Sequence, residues 1–201
     1  MSEQVSLPRF TPAERLIHRS VAVLMGICLL TAFVLYNGSI MLAVGHRHLV
    51  ETIHVWSGLA LPVPMVLGAL SAAYRLDVRR LNRVTGDDWR WLRSRTRRDG
   101  TIRVGKFNAG QKVNAWLVAG STAVLLGTGA IMYWTGLVQL SWRSGATFVH
   151  DWSALGLGLL ILGHIAFAVR DPDARRGMRS GTVSTRWARQ EHAAWADELE
   201  G

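Results

Sequence analysis

The sequence predicts an all-α integral membrane four-helix bundle with both termini cytoplasmic. Three observations carry that expectation. Hydrophobic residues make up 49% of the 201-residue chain, and they gather in long blocks instead of recurring at core-face spacing, which is a membrane composition. The Lys and Arg residues fall almost entirely on alternate loops. Histidines stand within or at the ends of the apolar blocks, where an imidazole must be paired or liganded.

The elements follow in order. Pro12 and Glu14 mark a helix start, and an apolar run over about residues 16–36 forms the first span, with His18 in its first turn. Asn37 to Glu51 reads as a polar loop. The second span covers about residues 52–74 and opens with His54. It contains Pro62 and Pro64, which cannot donate backbone hydrogen bonds and should bend the helix. The third covers about residues 112–135, where Gly120, Gly127 and Gly129 allow close approach of a helix or cofactor. The fourth, about residues 149–170, reads VHDWSALGLGLLILGHIAFAVR and carries His150 and His164. An arginine-rich loop over residues 75–111 joins the second and third spans, and residues 171–201 form a tail. Trp89 and Trp91 in that loop, and Trp187 and Trp195 in the tail, suggest short interfacial helices. The whole chain, residues 1–201, reads as one membrane domain.

Orientation follows from charge. Of 23 Lys and Arg residues, 3 lie at the start of the first span, 12 between Arg75 and Lys112, and 6 from Arg170 onward. The other two loops hold 1 each. The positive-inside rule therefore places both termini and the long loop in the cytoplasm. The same arginines account for the net charge of +9 and pI near 11.1; with no nucleic-acid-binding motif, a nucleic-acid partner is not expected. One cysteine, Cys28, excludes an internal disulfide and the C-x-x-C-H attachment signature for haem. The N-terminal MSEQVSLPRFTPAERLIH lacks the basic-then-apolar order of a removable signal peptide.

Topology assigns each histidine a depth. His150 and His164 are separated by roughly 21 Å along a helix and differ by only about 40° in direction, so they share one face at two levels. His54 matches His150 on the outer side, and His18 matches His164 on the cytoplasmic side. A b-type haem takes two axial imidazoles facing each other across its plane, which side chains on facing helices of a bundle provide. Between His150 and His164 the stripe carries Ala154, Gly158 and Ile161, mostly compact residues that leave room for a flat macrocycle. His46, His48 and His192 read as solvated loop and tail residues, with His46 or His48 the alternative to His54. Met25, Met65 and Met132 read as packing residues that an axial thioether role would also suit. A zinc or copper site lacks a nearby carboxylate or thiolate cluster to complete four ligands. A haem-free anchor or metal-binding membrane protein is the alternative of another class.

Gly105 to Trp116 reads GKFNAGQKVNAW, just before the third span. This resembles the G-K-[YF]-N-A-G-Q-K segment of the cytochrome b (gamma) subunit of respiratory formate dehydrogenases, a family related to the cytochrome b subunits of membrane-bound nickel-iron hydrogenases. FTPAERLIH at His18, the fourth-helix histidine pair and the ending GTVSTRWARQEHAAWADELE support the resemblance, which covers nearly the whole chain. It implies two b haems, the outer held by His54 and His150 and the inner by His18 and His164. It also implies a menaquinone beside the inner haem, contacted by Asn108, Gly110 and Gln111 next to His164. An amide and a backbone N–H suit a quinone carbonyl. The implied setting is a prokaryotic inner membrane, in a complex with an iron-sulfur subunit and a catalytic dehydrogenase subunit on which formate oxidation would occur. A hydrogenase or another dehydrogenase is the alternative partner. Arg19 replaces the family's usual Trp after the first ligand, Thr31-Ala32 stands where Thr-Gly is expected, and the outer loop is short.

Overall fold

A computed structural model describes residues 6–97, 101–136 and 138–200, the side chain of residue 200 excepted; the first five residues of the N-terminal segment considered above lie outside it. The chain order is β1 (Ser6–Pro8), α1 (Pro12–Tyr36), α2 (Gly38–Val44), α3 (Arg47–Ala60), α4 (Pro62–Gly68), α5 (Ala72–Asn82), α6 (Gly86–Arg93), α7 (Ala109–Tyr133), α8 (Leu140–Arg170), α9 (Pro172–Ser180), β2 (Thr182–Ser184), α10 (Thr185–Glu191) and α11 (Ala193–Glu200). Four helical stretches are long and apolar enough to cross a membrane: Pro12–Tyr36, Arg47–Gly68, Ala109–Tyr133 and Leu140–Arg170. The chain divides into two compact units.

The first unit, a bundle, comprises Leu16–Gly68 and Val118–Leu162. Its small core is Met25, Cys28, Leu61 and Leu157, with Val21, Leu24, Leu29, Val118, Leu125, Leu160 and Ile161 packed around it. Most other apolar side chains face outward; Leu30 is 70% exposed. That is uneconomical in water and natural in lipid, where apolar surface needs no burial and helices associate through close packing.

Three boundaries differ from expectation, each for a local reason. Asn37 to Glu51 is not simply a loop. The Asn37 side chain accepts from Ile40 N at 3.2 Å to start α2, and Gly45 ends it at φ 72°, a left-handed conformation suited to glycine. The second span is shifted toward the N-terminus, ending at Gly68, because Ser71 caps a new helix there by accepting from Tyr74 N. Within that span Pro62, which has no N–H, separates α3 from α4 at Leu61 as anticipated. The fourth helix has 31 residues and begins at Leu140. At about 1.5 Å per residue it exceeds the roughly 30 Å hydrocarbon core, so His150 sits well inside the helix rather than at its start.

The second unit, a cap, joins the described residues of Met1–Arg15 to Ala69–Leu117 and Gly163–Gly201. It contains a feature the all-α expectation lacks: β1 and β2 pair antiparallel, with Leu7 opposite Val183. Val183, Ala188, Trp195 and Ala196 form its core, with Leu7 and Trp187 against them. Trp195 is thus buried in this core, and the half-buried Trp187 packs against it. His192, expected to be solvated, is 1% exposed. Its Nδ1 donates to the Gly105 carbonyl at 2.7 Å and its Nε2 accepts from Arg9 at 3.2 Å. Arg9 itself lies over the Trp187 and Trp195 rings and donates to the Lys106 carbonyl at 2.7 Å. With Ala194 N bonded to the Val104 carbonyl at 3.1 Å, the tail and the N-terminal arm hold three consecutive carbonyls, Val104 to Lys106, at the start of GKFNAGQK.

Candidate functional site

Two imidazoles face each other inside the bundle. His54, on α3, and His150, on α8, have ring centroids 6.3 Å apart and ring planes at 69°. Their hydrogen bonds fix the tautomer of each. His54 Nδ1 lies 2.9 Å from Thr31 Oγ1 and 3.2 Å from the Cys28 carbonyl. A carbonyl only accepts, and the Thr31 hydroxyl donates its own proton to the Ile27 carbonyl at 2.7 Å. Nδ1 therefore carries the hydrogen. On the other side His150 Nδ1 is 3.0 Å from Thr128 Oγ1, whose proton goes to the Val124 carbonyl at 2.7 Å. Both imidazoles present Nε2 as a lone pair, the form that ligates a metal.

The donor set fits a haem iron. Two metal–nitrogen bonds of about 2 Å, with about 1.2 Å from each Nε2 to its ring centre, give a centroid spacing of roughly 6.4 Å. The 69° between the ring planes is compatible, because each ring turns independently about its bond to the metal. Gly129 contributes to the cradle: a Cβ there would stand 3.3 Å from His150 Cε1. Among the described residues no group of three or more His, Cys, Asp or Glu is gathered for a metal ion. His46 and His48, the alternatives to His54, are exposed at the N-cap and in the first turn of α3. Asp151 follows His150 and accepts from Tyr36 OH at 3.0 Å.

The remaining site residues are placed less directly. His18 stands on the bundle part of α1 and His164 on the part of α8 that belongs to the cap; their pairing rests on the depth argument of the sequence. Asn108 and Gln111 are close together within the cap. Asn108 Oδ1 accepts from Gln111 N at 2.9 Å, and Gln111 Oε1 accepts from Asn108 N at 3.0 Å, a reciprocal cap at the start of α7. Their carbonyl oxygens are thereby engaged, which leaves the amide NH2 groups to serve as donors. Gly110 has its own packing reason, since a Cβ would lie 2.9 Å from Trp91 Cη2. Gly110→Ala is expected to cost about 1–3 kcal/mol by overpacking. Thermal unfolding of Gly110→Ala with and without Trp91→Leu tests this: an equal loss in both backgrounds would rule out the indole as the cause.

Sequence reading missed the charged interior of the cap. Lys106 Nζ bridges Asp77 Oδ2 and Glu14 Oε1, the latter at 3.4 Å, and all three residues are buried. The pattern Thr11-Pro-Ala-Glu14 held a partial signal, because Thr11 and Glu14 form a capping box. The long-range partners Asp77 and Lys106 left none. Burial, then hydrogen bonding to the Glu14 carboxyl, pushes Asp77 up from 3.8 to about 7 against the opposing pull of Lys106. The folded cap thus binds this proton more tightly than the unfolded chain. The associated stability is full below about pH 4 and is lost as pH rises through about 7. Asp77→Asn is expected to flatten that decline, measured as unfolding temperature from about pH 4 to 8; a variant that declines in parallel with the parent would assign the slope elsewhere.

Four membrane-length helices and a facing pair of neutral imidazoles define the class: a membrane cytochrome of b type. The chain belongs to the family described as Prokaryotic cytochrome b561, whose pattern matches residues 9–180. Membership implies haem b as the cofactor. Over 100 residues the chain is 34% identical to the cytochrome b556(Fdn) subunit of nitrate-inducible formate dehydrogenase from Escherichia coli (strain K12), covering 48% of this chain and 46% of that protein. It is 35% identical over 97 residues to the formate dehydrogenase cytochrome b556 subunit of Haemophilus influenzae, covering 47% and 41%. The matched stretches span about half the length of these relatives.

Proposed function

We propose that this chain is the membrane-anchoring, di-haem cytochrome b subunit of a respiratory formate dehydrogenase, carrying electrons from an iron-sulfur subunit to menaquinone. The observation that carries the reading is the His54–His150 pair, with centroids 6.3 Å apart and both Nδ1–H groups held. The formate dehydrogenase relatives supply the partner, and the GKFNAGQK segment supplies the quinone contacts. His54 and His150 would hold the outer haem, and His18 and His164 the inner. Bound haems supply one-electron transfer across the membrane.

The chain's own residues do the rest. Helices α1, α3, α7 and α8 hold the imidazoles at fixed levels and exclude water around them. Arg15, Arg19, Arg75 and Arg170 lie near the cytoplasmic helix ends, where guanidinium groups suit haem propionates or lipid headgroups. Asn108 and Gln111 offer amide N–H groups and Gly110 a backbone N–H, positioned by the carbonyls that Arg9, His192 and the tail grip. With the arginine-rich segments in the cytoplasm, protons for the quinone enter from that side while negative charge moves inward. The process stores about 2.3 kcal/mol per charge per 100 mV.

The deciding experiment is a dithionite-reduced minus oxidised spectrum of the purified full chain, with haem extraction. Two b haems per chain are expected, and a spectrum without b-type bands would refute the proposal in favour of a haem-free anchor. In the purified complex, reduction of the haems by formate is expected; reduction by hydrogen instead would assign the chain to a hydrogenase.

A further inference from the structure

We infer that Thr31 and Thr128 are positioning residues of the His54–His150 haem, whose hydroxyls lock both axial imidazoles in the Nδ1–H form and hold the site's reduction potential low. The inference rests on the reading of that pair as haem ligands. It goes beyond it by naming residues that touch neither iron nor macrocycle.

Threonines in apolar helices commonly donate to a carbonyl one turn back, and Thr122 does so to the Val118 carbonyl at 2.7 Å. That bond alone has no functional meaning. At Thr31 and Thr128 the same bond, to Ile27 and Val124, commits the hydroxyl proton and leaves an oxygen lone pair that receives an imidazole N–H. The arrangement occurs twice, with Thr31 23 residues before His54 and Thr128 22 residues before His150. Each threonine lies on the helical stretch preceding that of its histidine, so the two halves of the bundle repeat one device.

Two consequences follow. Chemically, a ring whose Nδ1–H is engaged cannot present that nitrogen to a metal, so Nε2 alone is available on each of two rings whose centroids lie 6.3 Å apart. Electronically, an acceptor on Nδ1–H increases electron density at Nε2 and makes the imidazole a stronger donor. A stronger donor favours the ferric over the ferrous iron and lowers the potential. A low potential at the proposed point of electron entry favours onward transfer. His54 keeps a second acceptor, the Cys28 carbonyl at 3.2 Å, so loss of the Thr31 hydroxyl should weaken this effect without abolishing it.

The test pairs two substitutions at each site in the full chain. Thr→Val keeps the shape and removes the hydroxyl, whereas Thr→Ser keeps the hydroxyl and removes the methyl. Redox potentiometry is expected to show Thr31→Val and Thr128→Val each raising one of two midpoint potentials and leaving the other in place. The double Val variant should rise further, and both Ser variants should match the parent. Val variants that lose the haem while Ser variants retain it would equally assign the role to the hydroxyl. Val variants with full haem and unchanged potentials would overturn the inference, as would Ser and Val variants that lose haem alike. A parent chain without b-type bands would instead remove the haem reading itself.

Discussion

His54→Ala and His150→Ala are each expected to remove one haem, lowering the content from two per chain to one. The reason is coordination: on the proposed assignment, with one imidazole gone a haem held there would lose one of its two ligands, and the methyl group in its place donates nothing. Both imidazoles lie within one compact unit, with ring centroids 6.3 Å apart, so neither variant should impair the other haem. Pyridine haemochrome assay of the purified chain measures the ratio directly. His46→Ala and His48→Ala serve as controls, because both residues are exposed, and each should retain two haems. A His54→Ala chain with two haems, beside a His46→Ala or His48→Ala chain with one, would move the ligand into the loop.

The largest stability effect is expected at Lys112. Its Nζ lies 2.9 and 2.8 Å from the two Asp88 oxygens and 2.8 Å from the Arg83 carbonyl, with side-chain exposures of 10% and 9% for the pair. Asp88 in turn accepts from Thr85 N at 2.7 Å to close the capping box of α6. Lys112→Met would leave a carboxylate buried without its counter-charge, at about 3–5 kcal/mol. The double change Lys112→Met with Asp88→Asn should be milder, because no unpaired charge remains. Denaturant unfolding of the purified chain measures both. A single variant costing less than about 1 kcal/mol would place the pair in the class of solvated ion pairs.

Legibility tracked the range of the interaction. Span existence and the break at Pro62 are local or periodic properties of the chain, and each could be read from residue type and spacing. Boundaries were less legible where a cap decided them, as at Ser71, since a serine beside an apolar run is equally compatible with continuation. His192 looked like any tail histidine; its burial depends on Gly105 and Arg9, each far away in sequence. Asn108 and Gln111 were legible as a motif, yet their reciprocal bonding showed that part of the motif's composition serves the start of α7. Thr31 and Thr128 carry no sequence signal that separates them from a back-bonding threonine such as Thr122.

By itself the sequence determined a membrane protein with four crossing segments, because hydrophobic length and the rarity of polar residues within it are dictated by the bilayer. It also determined that His54 and His150 required a partner, because an imidazole in hydrocarbon is costly when unsatisfied. The matching of His54 with His150 was already legible from depth; only the tertiary structure decided how closely they approach, 6.3 Å between ring centroids, and which nitrogen of each is offered. Those facts depend on where Thr31 and Thr128 place their lone pairs, and hydrogen-bond geometry between helices has no signature in hydrophobic periodicity.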